Sequence, residues 1–135
     1  MSLEITQRER EGITILEMKG RITAGKEAAA LREKCAGLQA AKVTNVILNL
    51  ADVEYIDSTG LGALVICATT AKKNGGSVKL VNLSPRNIEL LVMTRLSTAF
   101  ETFNDEQEAV NSFYPDRKIK TFDILDFVQN MKQEE

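Results

Sequence analysis

The sequence predicts an α/β fold, with a mostly parallel sheet of four to five strands and helices packed mainly on one face. Short β-rich segments alternate with segments of helical periodicity after an opening hairpin. Such alternation is typical of parallel strands joined by right-handed crossovers. The chain has 135 residues, 44% hydrophobic and 27% charged. This length and mix indicate a globular domain and exclude a disordered or collagen-like chain.

The first two strands form a predicted hairpin. Residues 5–8 are a short run in which apolar and polar residues partly alternate, and Glu11-Gly12 is a candidate turn. Residues 13–18 are rich in β-forming residues, and Gly20 ends the predicted strand. The period then changes to that of a helix from about residue 26 to residue 39. Its predicted buried face consists of Ala28, Leu31, Cys35 and Leu38.

The middle of the chain predicts a central strand followed by a second helix. Residues 43–50 contain the apolar stretch typical of a strand covered on both faces. A short acidic turn is expected after it, and a helix begins near Ser58 and stops at Asn74-Gly75-Gly76. The helical face comprises Leu61, Leu64, Val65 and Ala68.

Two more strand–helix units follow. Residues 77–83 form a predicted strand, after which Ser84 as N-cap and Pro85 at the first position begin a third helix. Residues 99–103 are expected to form a short last strand. Asn104 and Gln107 make a pair like a capping box at the start of a fourth helix. The buried residues predicted for these two helices are Ile88, Leu91, Val92, Val110 and Phe113.

A domain boundary is predicted at Tyr114-Pro115-Asp116, so residues 1–114 form the domain and residues 115–135 a C-terminal extension. The extension contains a predicted amphipathic helix from about residue 121. Its apolar face consists of Ile124, Leu125, Phe127, Val128 and Met131. This face must be covered, either by the parent domain or by a partner or second subunit. A homodimer through this helix therefore stays open.

Composition excludes several functions. The chain has no histidine, so it cannot build a Ser-His-Asp triad, a histidine phosphorelay or a His-based zinc site; no metal site is predicted. The net charge of -2 and the absence of tryptophan argue against a nucleic-acid surface. No apolar run approaches the ~18 residues of a membrane span. The first residues lack a secretory signal pattern, so a cytoplasmic protein is expected.

The two cysteines, Cys35 and Cys67, have no CxxC spacing. In a reducing compartment such cysteines are expected to be small core residues rather than a disulfide or a metal pair.

Residues 49–62 carry the most specific pattern, and several interpretations compete there. Ser58 or Asp57 could cap the helix, with Gly60 and Gly62 allowing close packing on the sheet. The glycines also make an incomplete dinucleotide fingerprint. A receiver domain would use Asp57 as phosphoacceptor but would need an acidic pair after the first strand, and residues 19–23 contain no carboxylate.

A further interpretation makes Ser58 a phosphorylation site. A hydroxyl at an exposed helix start is accessible to a kinase, and a phosphate would add about -1.5 to -2 charges. The helix dipole would favour that charge, whereas neighbouring acidic residues would oppose it. Since these local effects offset, the consequence is expected at a docked partner rather than in the fold.

The segment Asp57-Ser58-Thr59-Gly60-Leu61-Gly62 strongly resembles the signature of STAS domains of the anti-sigma factor antagonist type. The opening hairpin, the Gly20-Arg21-Ile22 turn, the Gly75-Gly76 helix end and the Leu83-Ser84-Pro85 junction also fit. The resemblance extends from about residue 5 to residue 113. It implies a STAS-like fold and a partner-switching module that is not itself an enzyme.

The resemblance implies specific partners and site residues. Such a domain binds a Ser/Thr kinase that is also an anti-sigma factor, and thereby frees a sigma factor. The kinase uses its own ATP to phosphorylate the serine after the motif's aspartate, here Ser58, with Thr59 the second choice. A metal-dependent Ser/Thr phosphatase removes the phosphate, and the domain needs no cofactor. The implied partner-binding residues are Asp57, Ser58, Thr59, Gly60, Leu61, Gly62, Arg21 and Thr23.

The chain departs from the family pattern in the loop after the second strand. Many members have an acidic residue there, whereas this chain has Arg21-Ile22-Thr23-Ala24-Gly25. A first alternative keeps the fold without the switch, as a scaffold subunit of a signalling or lipid-transport complex. A second alternative is a small enzyme that uses Asp57 with Lys19, Lys26 or Lys79. That enzyme would need a concave pocket near Ser58.

Overall fold

The structure is a computed structural model that describes residues 3–117, 124, 127 and 128. Strands and helices alternate after the first hairpin, as the sequence predicts. The elements are β1 (Leu3–Arg10), β2 (Ile13–Ile22), α1 (Lys26–Ala40), β3 (Asn45–Ile56), α2 (Ser58–Lys73), β4 (Ser77–Val81), α3 (Pro85–Met93), β5 (Glu101–Phe103) and α4 (Glu106–Asn111).

The five strands form one sheet in the order β1-β2-β3-β4-β5. β1 pairs antiparallel with β2, and all the later pairs are parallel. The mostly parallel sheet predicted from the sequence is confirmed. Because β2 and β3 are parallel, their carboxyl ends meet, and Ile22 pairs with Ile56 at that edge.

The sheet is covered unequally on its two faces. The larger core lies between the sheet and α1, α2 and α3, and it includes Leu31, Leu64 and Ile88. A smaller cluster on the other face packs α4 through Ala109 and Val110 against strand residues such as Ile15. Helices therefore pack mainly on one face, as predicted.

The limits of several strands differ from the prediction, most clearly at the ends of β2 and β3. Gly20 does not end β2, because it adopts a φ of 115°, and the register shifts between Gly20 and Arg21 before the strand resumes. Glycine tolerates this positive φ, and β2 continues beyond it, while the extra residue at each register shift lies in β3. The prediction of an acidic turn after residue 50 is also wrong, because these residues belong to β3. β3 stays paired with β2 as far as Ile56.

Cys35 and Cys67 form a disulfide that joins α1 to α2, with their Cα atoms 5.9 Å apart. The prediction of two free core cysteines is wrong. That prediction was based on the reducing chemistry of the expected compartment. The two cysteines are instead brought together by the packing of α1 against α2. A separation of 32 residues in sequence gave no local sign of it.

The predicted start of α3 is confirmed, while that of α4 is shifted by one residue. The Ser84 hydroxyl accepts a hydrogen bond from the Asn87 N–H at 3.2 Å, and Pro85 begins the helix. In α4 the cap is Asp105 rather than Asn104. Its carboxylate accepts from the Gln107 N–H at 2.7 Å.

The described part of the C-terminal extension contacts its own domain. Arg117 forms an ion pair of 2.9 Å with Glu11 in the β1–β2 turn. Ile124 is helical and only 4% exposed, and Phe127 and Val128 pack against the same large core. Of the two predicted coverings, these three residues adopt the one on the parent domain. The predicted face also included Leu125 and Met131, which lie outside the described residues, and the boundary after residue 114 stays a prediction.

Candidate functional site

Asp57 joins three elements at the carboxyl edge of the sheet. It lies between the end of β3 and the start of α2 and is the N-cap of that helix. One carboxylate oxygen, Oδ1, accepts a hydrogen bond of 2.7 Å from the Gly60 N–H. The other, Oδ2, accepts one of 2.9 Å from the Ala24 N–H in the β2–α1 loop. The side chain therefore fixes the helix start against the neighbouring loop.

These hydrogen bonds also set the charge of Asp57. The backbone N–H groups of Gly60 and then Ala24 hold the pKa of the carboxyl below its usual value. Hydrogen bonds to the charged form favour ionisation. The carboxylate is consequently an anion at neutral pH with an accepting role on each oxygen, which makes it a poor proton acceptor for catalysis.

Ser58 is the first residue of α2 and is exposed. Of the two predicted capping candidates, Asp57 is the cap, so the Ser58 hydroxyl is not needed for it. The structure records no hydrogen bond from this hydroxyl to any described residue. Thr59, the second choice for phosphorylation, is exposed beside it. Both hydroxyls can be reached by a protein that docks at the helix start.

Of the other motif residues, some are buried and some are exposed. A Cβ on Gly60 would collide with the carbonyl oxygen of Ile22, so glycine is required for α2 to approach β2 this closely. Gly62 has no such role, because a Cβ there meets nothing within 4 Å. Leu61 is 3% exposed and belongs to the core. Gly60 and Leu61 are both buried, whereas Gly62 is exposed, and their part in partner binding stays a prediction.

The end of β2, with Arg21, and the β2–α1 loop, with Thr23, lie beside Ser58, where the second contact region was expected. Arg21 is exposed, with its guanidinium Nε 3.8 Å from a carboxylate oxygen of Glu54. Thr23 is half-buried and precedes Ala24, whose N–H donates to Asp57. The structure therefore brings the loop residues and the motif residues to one edge of the sheet.

Two of the three lysines of the enzyme hypothesis, Lys79 and Lys19, lie elsewhere than in the groove next to Ser58. Lys79 is 5% exposed, and its Nζ donates to the Ser112 hydroxyl at 2.6 Å, on the face covered by α4. Lys19 lines a different groove with Asp52. No lysine lines the groove next to Ser58 within the described ranges. In the same part of the chain, no cluster of three His, Cys, Asp or Glu side chains could hold a metal ion.

Two residues next to Ser58, Tyr55 and Arg86, are not among those predicted from the motif. Tyr55 is 38% exposed at the end of β3. The guanidinium carbon of Arg86, in the first turn of α3, lies 4.8 Å from the centroid of the Tyr55 ring. Both side chains line the groove that contains Ser58. An exposed aromatic residue just before the motif was the available sign, but the approach of α3 depends on tertiary packing.

The fold and these residues define a small α/β domain whose exposed polar residues gather at the carboxyl edge of one sheet. Residues 4–109 match the STAS domain family. The chain belongs to the STAS domain family.

Relatives of known name give the same result. The anti-sigma-B factor antagonist of Bacillus subtilis is 38% identical over 96 residues, which cover 71% of this chain and 86% of that protein. The crystal structure of an anti-sigma factor antagonist from Mycobacterium paratuberculosis superposes with a TM-score of 0.71 at 20% identity, over 82% of this chain and 93% of the other. The phosphorylated form of the Bacillus cell fate determinant SpoIIAA superposes with a TM-score of 0.64 at 17% identity, over 82% and 99%. At these identities the two solved structures support the fold alone.

No helix among the described residues is both long and apolar enough to cross a membrane.

Proposed function

We propose that this chain is an anti-sigma factor antagonist controlled by reversible phosphorylation of Ser58. The observation that carries the proposal is the exposure of the serine in the motif. Asp57 caps α2 with both oxygens engaged, which leaves the adjacent Ser58 hydroxyl exposed. The relative from Bacillus subtilis, at 38% identity, is named an anti-sigma-B factor antagonist.

The proposed partner is an anti-sigma factor that is also a Ser/Thr kinase. When Ser58 is unphosphorylated, this partner docks on the start of α2, the end of β2 and the β2–α1 loop. Ser58, Thr59 and Arg21 are exposed there. Its ATP supplies the phosphoryl group, and a metal-dependent Ser/Thr phosphatase removes it. In this proposal the chain acts as a binding protein and needs no cofactor of its own.

Phosphorylation would change the interface more than the fold. The α2 dipole favours an anion at Ser58 by about 0.3–1 kcal/mol, and the carboxylate of Asp57 opposes it at short range. The domain then keeps its structure while a doubly charged group appears where the partner sits. Desolvating that group against a formed interface weakens binding.

The proposal is tested by substituting Ser58 and measuring association with the anti-sigma factor kinase that copurifies from the source cells. Ser58→Ala is expected to bind as the unphosphorylated protein does. Ser58→Glu is expected to bind at least about tenfold more weakly, which corresponds to ~1.4 kcal/mol. Thr59→Ala and Thr59→Glu form the matched control pair, since Thr59 is the neighbouring exposed hydroxyl.

A phosphopeptide map of the native protein, prepared with phosphatases inhibited, accompanies the binding assay. Phosphate on Ser58 supports the proposal, and phosphate on Thr59 moves the switch by one residue. Equal, small effects of the two Ser58 variants together with an unmodified Ser58 would contradict the switch. That result would favour the scaffold function in a signalling or lipid-transport complex.

A further inference from the structure

Ser58 opens onto a groove that the motif does not account for. The groove has a volume of about 290 Å³ and lies between the end of β3, the start of α2 and one side of α3. Besides Ser58, its walls include Tyr55 and Asp57 on one side and Arg86, Leu90 and Met93 on the other. Met93 is 76% exposed, so the groove is open to solvent at that end.

Among the residues that the structure describes, Arg86 is the one cation that lines this groove. It forms no salt bridge with any described carboxylate, including Glu89 one turn further along α3. Its position in the first turn of α3 is unfavourable for a cation, because the positive end of the helix dipole lies there. Arg86 also lines a second groove, which it shares with Glu4, Asp52 and Glu54.

The guanidinium of Arg86 lies over the aromatic ring of Tyr55, and both side chains are exposed. The 4.8 Å separation of the Arg86 guanidinium carbon from the ring centroid is within the range of a cation–π contact. Such a contact leaves the edge N–H groups of the guanidinium available for hydrogen bonds. Arg86 is thus a positioned donor on the same groove as Ser58.

We propose that Arg86 receives the phosphoryl group of Ser58 within the same chain, which rests on the proposed phosphorylation of that serine. A phosphoserine brings about -1.5 to -2 charges and three acceptor oxygens. A guanidinium matches two of those oxygens with parallel hydrogen bonds, in a geometry that an ammonium group lacks. Arg86 would thereby fix the phosphate against α3.

The charges around the groove give Arg86 a defined task. Asp57 from the β3–α2 junction and Glu89 from α3 also line it, and both are acidic. Without Arg86 a phosphate on Ser58 would face two carboxylates and turn outward. With Arg86 the phosphate is drawn inward and occupies the groove.

This position changes what the switch does. A phosphate held against α3 blocks the groove to an incoming side chain, in addition to presenting charge to the partner. The phosphorylated protein then differs from the unphosphorylated one in two ways, by a closed groove and by a charge that repels the partner. Only the closed groove depends on Arg86.

The test uses the full chain with phosphoserine incorporated at position 58 during translation, so that it does not depend on any kinase. A ³¹P NMR pH titration measures the second pKa of the phosphoserine. We expect Arg86→Gln to raise this pKa by about 0.5 unit relative to the wild type, because a paired cation favours the dianion. Arg86→Lys should fall between the two, and 1 M salt should reduce the difference.

Arg21→Gln is the matched control, since Arg21 is an exposed arginine at the same sheet edge that does not line the groove. It should leave the titration unchanged. Thermal unfolding confirms that each variant is folded. Identical titrations of the wild type and Arg86→Gln would overturn the proposal, as would an equal shift in Arg21→Gln. An unphosphorylated Arg86→Gln protein that loses partner binding as fully as Ser58→Glu would also overturn it, by making Arg86 a direct partner contact.

The two proposals fail in different experiments. A native protein without phosphate on Ser58 contradicts the switch, while the titration still measures whether Arg86 pairs with phosphoserine.

Discussion

Asp57 and Gly60 act together on the start of α2, and each has one defined physical task. Asp57 satisfies the N–H of Gly60 and that of Ala24. Gly60 lets the backbone of α2 reach the end of β2, where Ile22 leaves no room for a Cβ. The position of Ser58 therefore follows from its neighbours, since its own side chain contributes no hydrogen bond to the described residues.

Gly60→Ala is expected to destabilise the protein by about 1–3 kcal/mol, because the new methyl group must displace backbone atoms of Ile22. Gly62→Ala is the matched control in the same helical turn. Its Cβ enters open space, so the helix propensity of alanine should make it neutral or up to about 1 kcal/mol more stable. Urea unfolding of both variants measures the difference. Equal midpoints for the two variants would contradict the close approach.

The sequence was sufficient to identify the motif, but it could not separate its members. Capping by Asp57 or by Ser58 is equally compatible with the residue types, and only the hydrogen bonds distinguish them. Likewise, Gly60 and Gly62 look alike in sequence, although one is enclosed and the other open. The difference depends on the path of β2, a segment nearly forty residues earlier in the chain.

At the scale of secondary structure, period and capping signals predicted the order of elements, and long-range pairing decided their limits. β3 runs past the expected turn because its residues stay paired with β2 as far as Ile56, which lies opposite Ile22. Arg86 reached the groove for a similar reason, since α3 packs beside the end of β3. Local patterns contain no information about such neighbours.

The disulfide between α1 and α2 is an element-scale constraint on α2. It closes a sequence separation of 32 residues, which predicts a stabilisation of about 3–4 kcal/mol through the unfolded state. We expect the double variant Cys35→Ala, Cys67→Ala to unfold at correspondingly lower urea concentration than the oxidised wild type.

A reducing agent supplies the control for this prediction. Dithiothreitol should lower the midpoint of the wild type and leave the double variant unchanged. A wild type that is insensitive to the reductant, and as stable as the double variant, would argue that the bond does not constrain α1 and α2.

At the scale of the whole molecule, three described residues of the C-terminal extension add to the main core. Ile124 is 4% exposed although it lies beyond the predicted domain boundary. The amphipathic pattern predicted a covered face, and the structure supplies that cover from the parent domain at the three described positions. Sequence alone could not decide between this cover and a second subunit, because either one buries the same apolar residues.

Ile124→Ala is expected to lower the free energy of unfolding by about 2–5 kcal/mol, as for other large-to-small changes in a core. Val128→Ala is the control, since Val128 is only half-buried and should cost less. Unfolding midpoints measured over a hundredfold range of protein concentration should coincide for the wild type. A midpoint that rises with concentration would indicate that the segment is instead exchanged between two copies.

The bridge that Asp57 makes between α2 and the β2–α1 loop has a kinetic consequence. A site that is already ordered in the free protein loses little conformational freedom when a partner arrives. Association then needs no slow folding step, and its rate is set by diffusion and orientation, at about 10⁵–10⁷ per molar per second for proteins of this kind. The lifetime of the complex, rather than the time needed to form it, should therefore separate the bound and released states.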